Sequence, residues 1–132
     1  MLKPGSTIGI LGGGQLGRML ALAAAQLGYR CIAYAPEKDP VAGEVCADLF
    51  TNDWHDAKAM AAFAQKCDVI TWEFENVPVE PLAPLTQRLA PHPRALETAQ
   101  DRLLEKRFVE NLGGPPAPRQ AAADRGGLMG AV

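Results

Sequence analysis

The glycine-rich turn Gly12-Gly13-Gly14-Gln15-Leu16-Gly17 constrains this chain more than any other stretch. It follows the apolar run Ile8-Gly9-Ile10-Leu11 and opens a segment of helical periodicity. That order reads as strand, tight turn and helix N-terminus. Gly12, Gly14 and Gly17 satisfy G-x-G-x-x-G. Such glycines allow a turn that a Cβ would block, let backbone N–H groups approach an anion, and let the helix lie close on a sheet. By itself the motif is as compatible with a close-packed strand-to-helix turn as with nucleotide binding.

The surrounding pattern extends this unit into an α/β fold. Residues 6–11 read as a buried strand, since Ile8, Ile10 and Leu11 come without a solvent-facing alternation. Over residues 15–27, Leu16, Met19, Leu20, Ala23 and Leu27 recur every three or four positions, the stripe of a helix packed on a core, and Gly28 ends it. Residues 30–35 form a second strand stopped by Pro36, and a polar loop over 37–45 leads to a short third strand at 47–51. Asp53 is the expected N-cap of the next helix, with Asp56 in its first turn and Ala57, Met60, Ala61 and Ala64 on one face. A fourth strand, 68–72, runs directly into Glu73-Phe74-Glu75-Asn76. Parallel strands would place these carboxylates on the sheet edge that carries the glycine turn, and an extended chain would point Glu73 and Glu75 to one side.

Beyond Pro78, Leu82, Leu85 and Leu89 suggest a helix distorted by Pro81 and Pro84. Residues 94–100 and 101–112 read as helix, the second part capped by Asp101, and Gly113-Gly114-Pro115-Pro116 ends it. Residues 119–132, rich in Ala and Gly with little apolar pattern, are expected to be disordered. At 132 residues the chain has room for one domain with a real core. Its formal charge of −2 provides no field for nucleic acid or an anionic membrane. Cys31, Cys46 and Cys67 form no C-x-x-C pair, which suggests neither a disulfide framework nor zinc and fits the cytoplasm. No leader or membrane-spanning run is apparent. His55 and His92 suit surface or capping roles, and Trp72 suits the core.

Three pieces are specific in combination: Gly12 through Leu20, Cys67 through Pro78, and Gln100-Asp101-Arg102-Leu103-Leu104-Glu105-Lys106. In this order and spacing they resemble the N-terminal domain of N5-carboxyaminoimidazole ribonucleotide synthases, ATP-grasp ligases of purine biosynthesis, over about residues 5–118. The resemblance implies a Rossmann-like pre-ATP-grasp domain over residues 1–112, with a mainly parallel sheet flanked by helices, then a linker and tail over 113–132. It implies ATP, magnesium and bicarbonate as participants in the full-length family, 5-aminoimidazole ribonucleotide as substrate, and it admits a homodimer. Carried over by position, Gly14, Gln15, Leu16, Glu73, Glu75 and Asn76 would contact the ribonucleotide, with Glu73 accepting from ribose hydroxyls, and Arg102 would contact ATP. No catalytic residue is assigned within this chain.

The family's ATP-grasp region lies beyond Pro118, the sequence departs from its usual linker from about Gly114, and residues 119–132 match no part of its pattern. The expectation is therefore a truncated, frameshifted or fragmentary product, inactive as a ligase alone. Two other readings stand beside it. One is an NAD(P)-dependent Rossmann oxidoreductase, poorly served by Glu37 lying beyond Pro36 instead of at the end of the second strand. The other is a non-catalytic nucleotide-binding domain.

Overall fold

A computed structural model describes residues 2–119, 121 and 122. Four parallel strands, β1 (Thr7–Leu11), β2 (Arg30–Tyr34), β3 (Asp48–Phe50) and β4 (Val69–Trp72), form one sheet in the order β3-β2-β1-β4. Helix α1 (Gln15–Gln26) connects β1 to β2, and α2 (Ala57–Gln65) connects β3 to β4. A 3-10 turn at Val41–Glu44, a 3-10 helix at Glu80–Arg88 containing Pro84, and helices α3 (Pro93–Gln100) and α4 (Arg102–Asn111) complete the elements. The distorted helix expected around Pro84 is a 3-10 helix, in which Pro81 and Pro84 supply no backbone donor. The chain divides into two compact units, Met1–Leu96 and Glu97–Val132.

Strand alternation divides the first unit's core between the two sheet faces. On one face Leu11, Ile32, Tyr34 and Ile70 pack with Met60 and Phe63 of α2 and with Leu82 and Leu85 of the 3-10 helix. Tyr34 stacks on Phe50 and Trp54 and meets Phe63 edge-on, with ring centroids 5.4–6.1 Å apart. On the other face Ile10 and Cys31 pack with Ala21 and Ala24 of α1. Cys31 and Cys67 are buried, and desolvation raises the pKa of both thiols, that of Cys67 to about 12.

Two sequence expectations are corrected here. The stripe Leu16, Met19, Leu20, Ala23 and Leu27 does not face the sheet: all five are exposed, and Gly17, Ala21 and Ala24 are the buried residues of α1. The glycine turn sets the helical phase. A Cβ on Gly17 would stand 3.2 Å from the Gly12 carbonyl oxygen, so position 17 must be small and inward. Ala21 and Ala24, three to four residues further on, then share its face, while the leucines turn outward. The cap of α2 is likewise Asp56, whose Oδ1 accepts from the Ala59 N–H at 2.9 Å. Asp53 instead accepts from the His55 N–H at 2.8 Å in the preceding turn. The inward face of α2 is Met60, Phe63 and Ala64, while Ala57 and Ala61 are exposed.

In the second unit Asp101 caps α4 as expected, its Oδ1 accepting from the Leu103 and Leu104 N–H groups at 2.8 and 2.9 Å. Residues 114–119, 121 and 122 form neither helix nor strand, and the rest of the tail expected to be disordered over 119–132 lies outside the described residues. Among the described residues, no helix is long and apolar enough to cross a membrane.

Candidate functional site

The site grows from the strand order. The chain leaves β1 toward β2 on one side and reaches β4 on the other, so the crevice between the carboxyl ends of β1 and β4 is the switch point where open α/β sheets bind ligands. Leu11 and Trp72, the last residues of β1 and β4, are register partners. The next residues, Gly12 and Glu73, flank the crevice, held by hydrogen bonds from Gly12 N–H to the Tyr34 carbonyl and from Glu73 N–H to the Leu11 carbonyl.

From there the half-buried Glu73 side chain reaches across to the glycine turn, where its Oε1 accepts from the Gly14 N–H at 3.0 Å. All three motif glycines make room for it. A Cβ on Gly12 would lie 2.6 Å from Glu73 Oε1, one on Gly14 3.2 Å from the same atom, and one on Gly17 3.3 Å from Glu73 Cγ. Gly12 also has φ +120°, a conformation strained for any residue with a Cβ. The anion at this helix N-terminus is therefore the chain's own carboxylate, in the position where the macrodipole and a backbone donor favour negative charge.

The opposite side of the turn is clamped by the loop after β2. A Cβ on Gly13 would meet Pro40 Cβ at 2.4 Å and Ala35 Cβ at 2.6 Å, and the Gly13 carbonyl accepts from the Ala42 N–H at 3.0 Å. Arg18 and Glu44 approach to 3.6 Å between α1 and the 3-10 turn. This clamp was not legible in the sequence, because Pro40 and Ala42 carry no motif. Its effect is to leave the turn little freedom, so that the Glu73 carboxylate is presented from a rigid frame.

Of the residues singled out from the sequence, the structure brings Gly14 and Glu73 together. Gln15 and Leu16 stand exposed in the first turn of α1, beside that pair. Glu75 and Asn76 are also exposed, in a turn that follows the end of β4. Strand β4 ends at Trp72, with Glu73 in a bend and Glu75 in the turn after it, so the extended alternation does not continue through them. Arg102 opens α4 in the second unit, where its Nη1 donates to Glu105 Oε2 at 2.7 Å. Among the described residues, no three His, Cys, Asp or Glu side chains converge to hold a metal ion.

This chemistry is that of a hydrogen-bond acceptor for donors. An acid seated in the glycine turn takes hydroxyl or amine groups and repels phosphate from the Gly14 N–H, the group a dinucleotide pyrophosphate would use.

The ribonucleotide synthetase pre-ATP-grasp domain family matches residues 5–100. An N5-carboxyaminoimidazole ribonucleotide synthase of Brucella melitensis is 47% identical over 99% of this chain, which spans 37% of that protein. A bifunctional purine synthesis protein of Dictyostelium discoideum is also 47% identical, over all of this chain and 13% of its own length. The crystal structure of an N5-carboxyaminoimidazole ribonucleotide synthetase in complex with ADP superposes with a TM-score of 0.92 at 36% identity, covering 99% of this chain and 35% of that one.

Proposed function

The chain belongs to the ribonucleotide synthetase pre-ATP-grasp family, and from that premise we propose that it forms the 5-aminoimidazole ribonucleotide-binding part of a cytoplasmic ATP-dependent carbon–nitrogen ligase. The observation that carries this reading is the Glu73 carboxylate held in the glycine turn by the Gly14 N–H. A ribose offers two hydroxyl donors and an aminoimidazole offers an exocyclic amine, so an acceptor fixed at the crevice suits that ligand. In this assignment Glu73 takes the ribose hydroxyls. The first turn of α1 at Gly14, Gln15 and Leu16 lines the same side, and Glu75 and Asn76 close the crevice from the β4 end. Arg102 is assigned to ATP, and residues 113–132 to a linker that follows a domain over 1–112.

In the complete ligase, ATP would phosphorylate bicarbonate to carboxyphosphate with release of ADP. The exocyclic amine would then take the carboxyl group, forming the new C–N bond as phosphate leaves. This chain contributes substrate recognition to that sequence. It spans about a third of the length of the synthases it matches, and the described residues do not fit a magnesium site. The 132 residues alone are expected to bind ribonucleotide without turning over ATP.

An NMR titration of the chain with 5-aminoimidazole ribonucleotide and, separately, with NAD tests the assignment. Amide shifts at Gly14, Gln15 and Glu73 with the ribonucleotide alone support it. Shifts with NAD alone would overturn it.

A further inference from the structure

We propose that Glu37 is a second acceptor of the ribonucleotide site, set across the glycine turn from Glu73 and taking an N–H of the ligand's exocyclic amine. This role rests on the ribonucleotide reading above and adds to it a residue that recognises the base. Glu37 lies beyond Pro36, after the end of β2 at Tyr34. The chain then turns back through Asp39, whose φ is +54°, and brings Pro40 against Gly13. The Glu37 carboxylate returns with it. Its Oε2 stands 3.4 Å from the point that a Cβ on Gly13 would occupy, while Glu73 Oε1 stands 2.6 Å from the corresponding point on Gly12. Two carboxylates thus flank consecutive glycines at the carboxyl edge of the sheet.

Distance and bonding decide what Glu37 can do. Consecutive Cα atoms are about 3.8 Å apart, so these two carboxylate oxygens are separated by no more than about 13 Å. A ribose hydroxyl and an exocyclic amine about 6 Å apart, with a hydrogen bond of about 3 Å at each end, reach across about 12 Å. One ribonucleotide can therefore touch both acids. Glu73 is already engaged by the Gly14 N–H, whereas Glu37 is exposed and enters no hydrogen bond or ion pair among the described residues. A carboxylate in that state is an acceptor in need of a donor, and it repels phosphate. With the ribose hydroxyls assigned to Glu73, the donor that 5-aminoimidazole ribonucleotide has left is its amine.

NMR titrations of the chain and of Glu37→Ala, each with 5-aminoimidazole ribonucleotide and with the analogue lacking the amine, test this. The expected result is a loss of about 10-fold in affinity for the aminoimidazole and no loss for the analogue. Glu37→Gln, which keeps an acceptor, should lose less. Because Glu37 is exposed and unbonded, the variants' amide spectra should match the parent outside residues 35–42. An equal loss with both ligands would overturn the assignment, and so would a variant that binds the aminoimidazole as tightly as the parent or more tightly. A parent chain that binds neither ligand would overturn the ribonucleotide reading itself, and the role of Glu37 with it, before any variant is compared.

Discussion

Changing Glu73 to glutamine keeps the side chain's shape and removes its charge. The Gly14 N–H retains an acceptor, but the charge-assisted bond is lost, and an amide is a poorer acceptor for paired hydroxyls. Affinity for 5-aminoimidazole ribonucleotide should fall about 10- to 100-fold, measured by isothermal titration calorimetry, with the circular dichroism spectrum unchanged. Gly12→Ala should act on both fold and site. Its Cβ would press on Glu73 Oε1 from a backbone at φ +120°, a strain of about 1–3 kcal/mol readable in a urea unfolding curve. Tyr34 gives a pH signature. Burial, followed by the charges of Asp56 and Asp53, raises its pKa from 10.0 to about 12, and its hydroxyl donates to the Asp53 carbonyl at 2.6 Å. The folded state thus holds the proton more tightly than the unfolded chain. The associated stability is complete below pH 10 and is lost as pH rises to about 12, a fall of roughly 2–3 kcal/mol. Cys67 acts in the same direction from pH 9 upward. Urea midpoints from pH 8 to 12 should show the decline, and Tyr34→Phe should remove its upper part.

At the scale of elements, α1 shows what a sequence pattern does and does not specify. Its position, its start after the glycines and its end at Gly28 were all legible, because each rests on a local steric requirement. Its rotation was not. Both of its faces are apolar, and periodicity cannot rank a leucine stripe against one of glycine and alanine when a close turn demands the small one. The cap of α2 failed for a related reason: Asp53 and Asp56 both suit an N-cap, and only the real start of the helix at Ala57 decides between them. The phase of α1 has a measurable consequence. Ala24→Leu, on the buried side, should cost about 1–3 kcal/mol through overpacking. Leu27→Ala, 70% exposed, should change the stability of the dilute chain by less than about 0.5 kcal/mol.

For the whole molecule, the parallel sheet and the shared edge of the glycine turn and Glu73 were legible in the alternation of strands and helices, and the resemblance in three separated stretches added the family, while the strand order that sets β4 beside β1 came only with the structure. What the sequence could not convey was that Glu73 and Gly14, both foreseen as site residues, would meet each other. That contact depends on the register of β1 with β4, which no local pattern encodes. The chain should bind ribonucleotide yet release no phosphate from ATP, and a coupled assay for ADP would reveal any turnover.

The distance along the chain between those two residues also orders events in time. Gly14 precedes Glu73 by 59 positions, which at about 5–20 residues per second is roughly 3–12 s of synthesis. The nascent chain therefore has its glycines in hand seconds before the acid that fills them, and the pocket is finished by a long-range closure instead of by its own hairpin-sized neighbourhood. In pulse-labelled hydrogen exchange during refolding, the Gly14 amide should gain protection together with the amides of β4 and after those in the middle of α1.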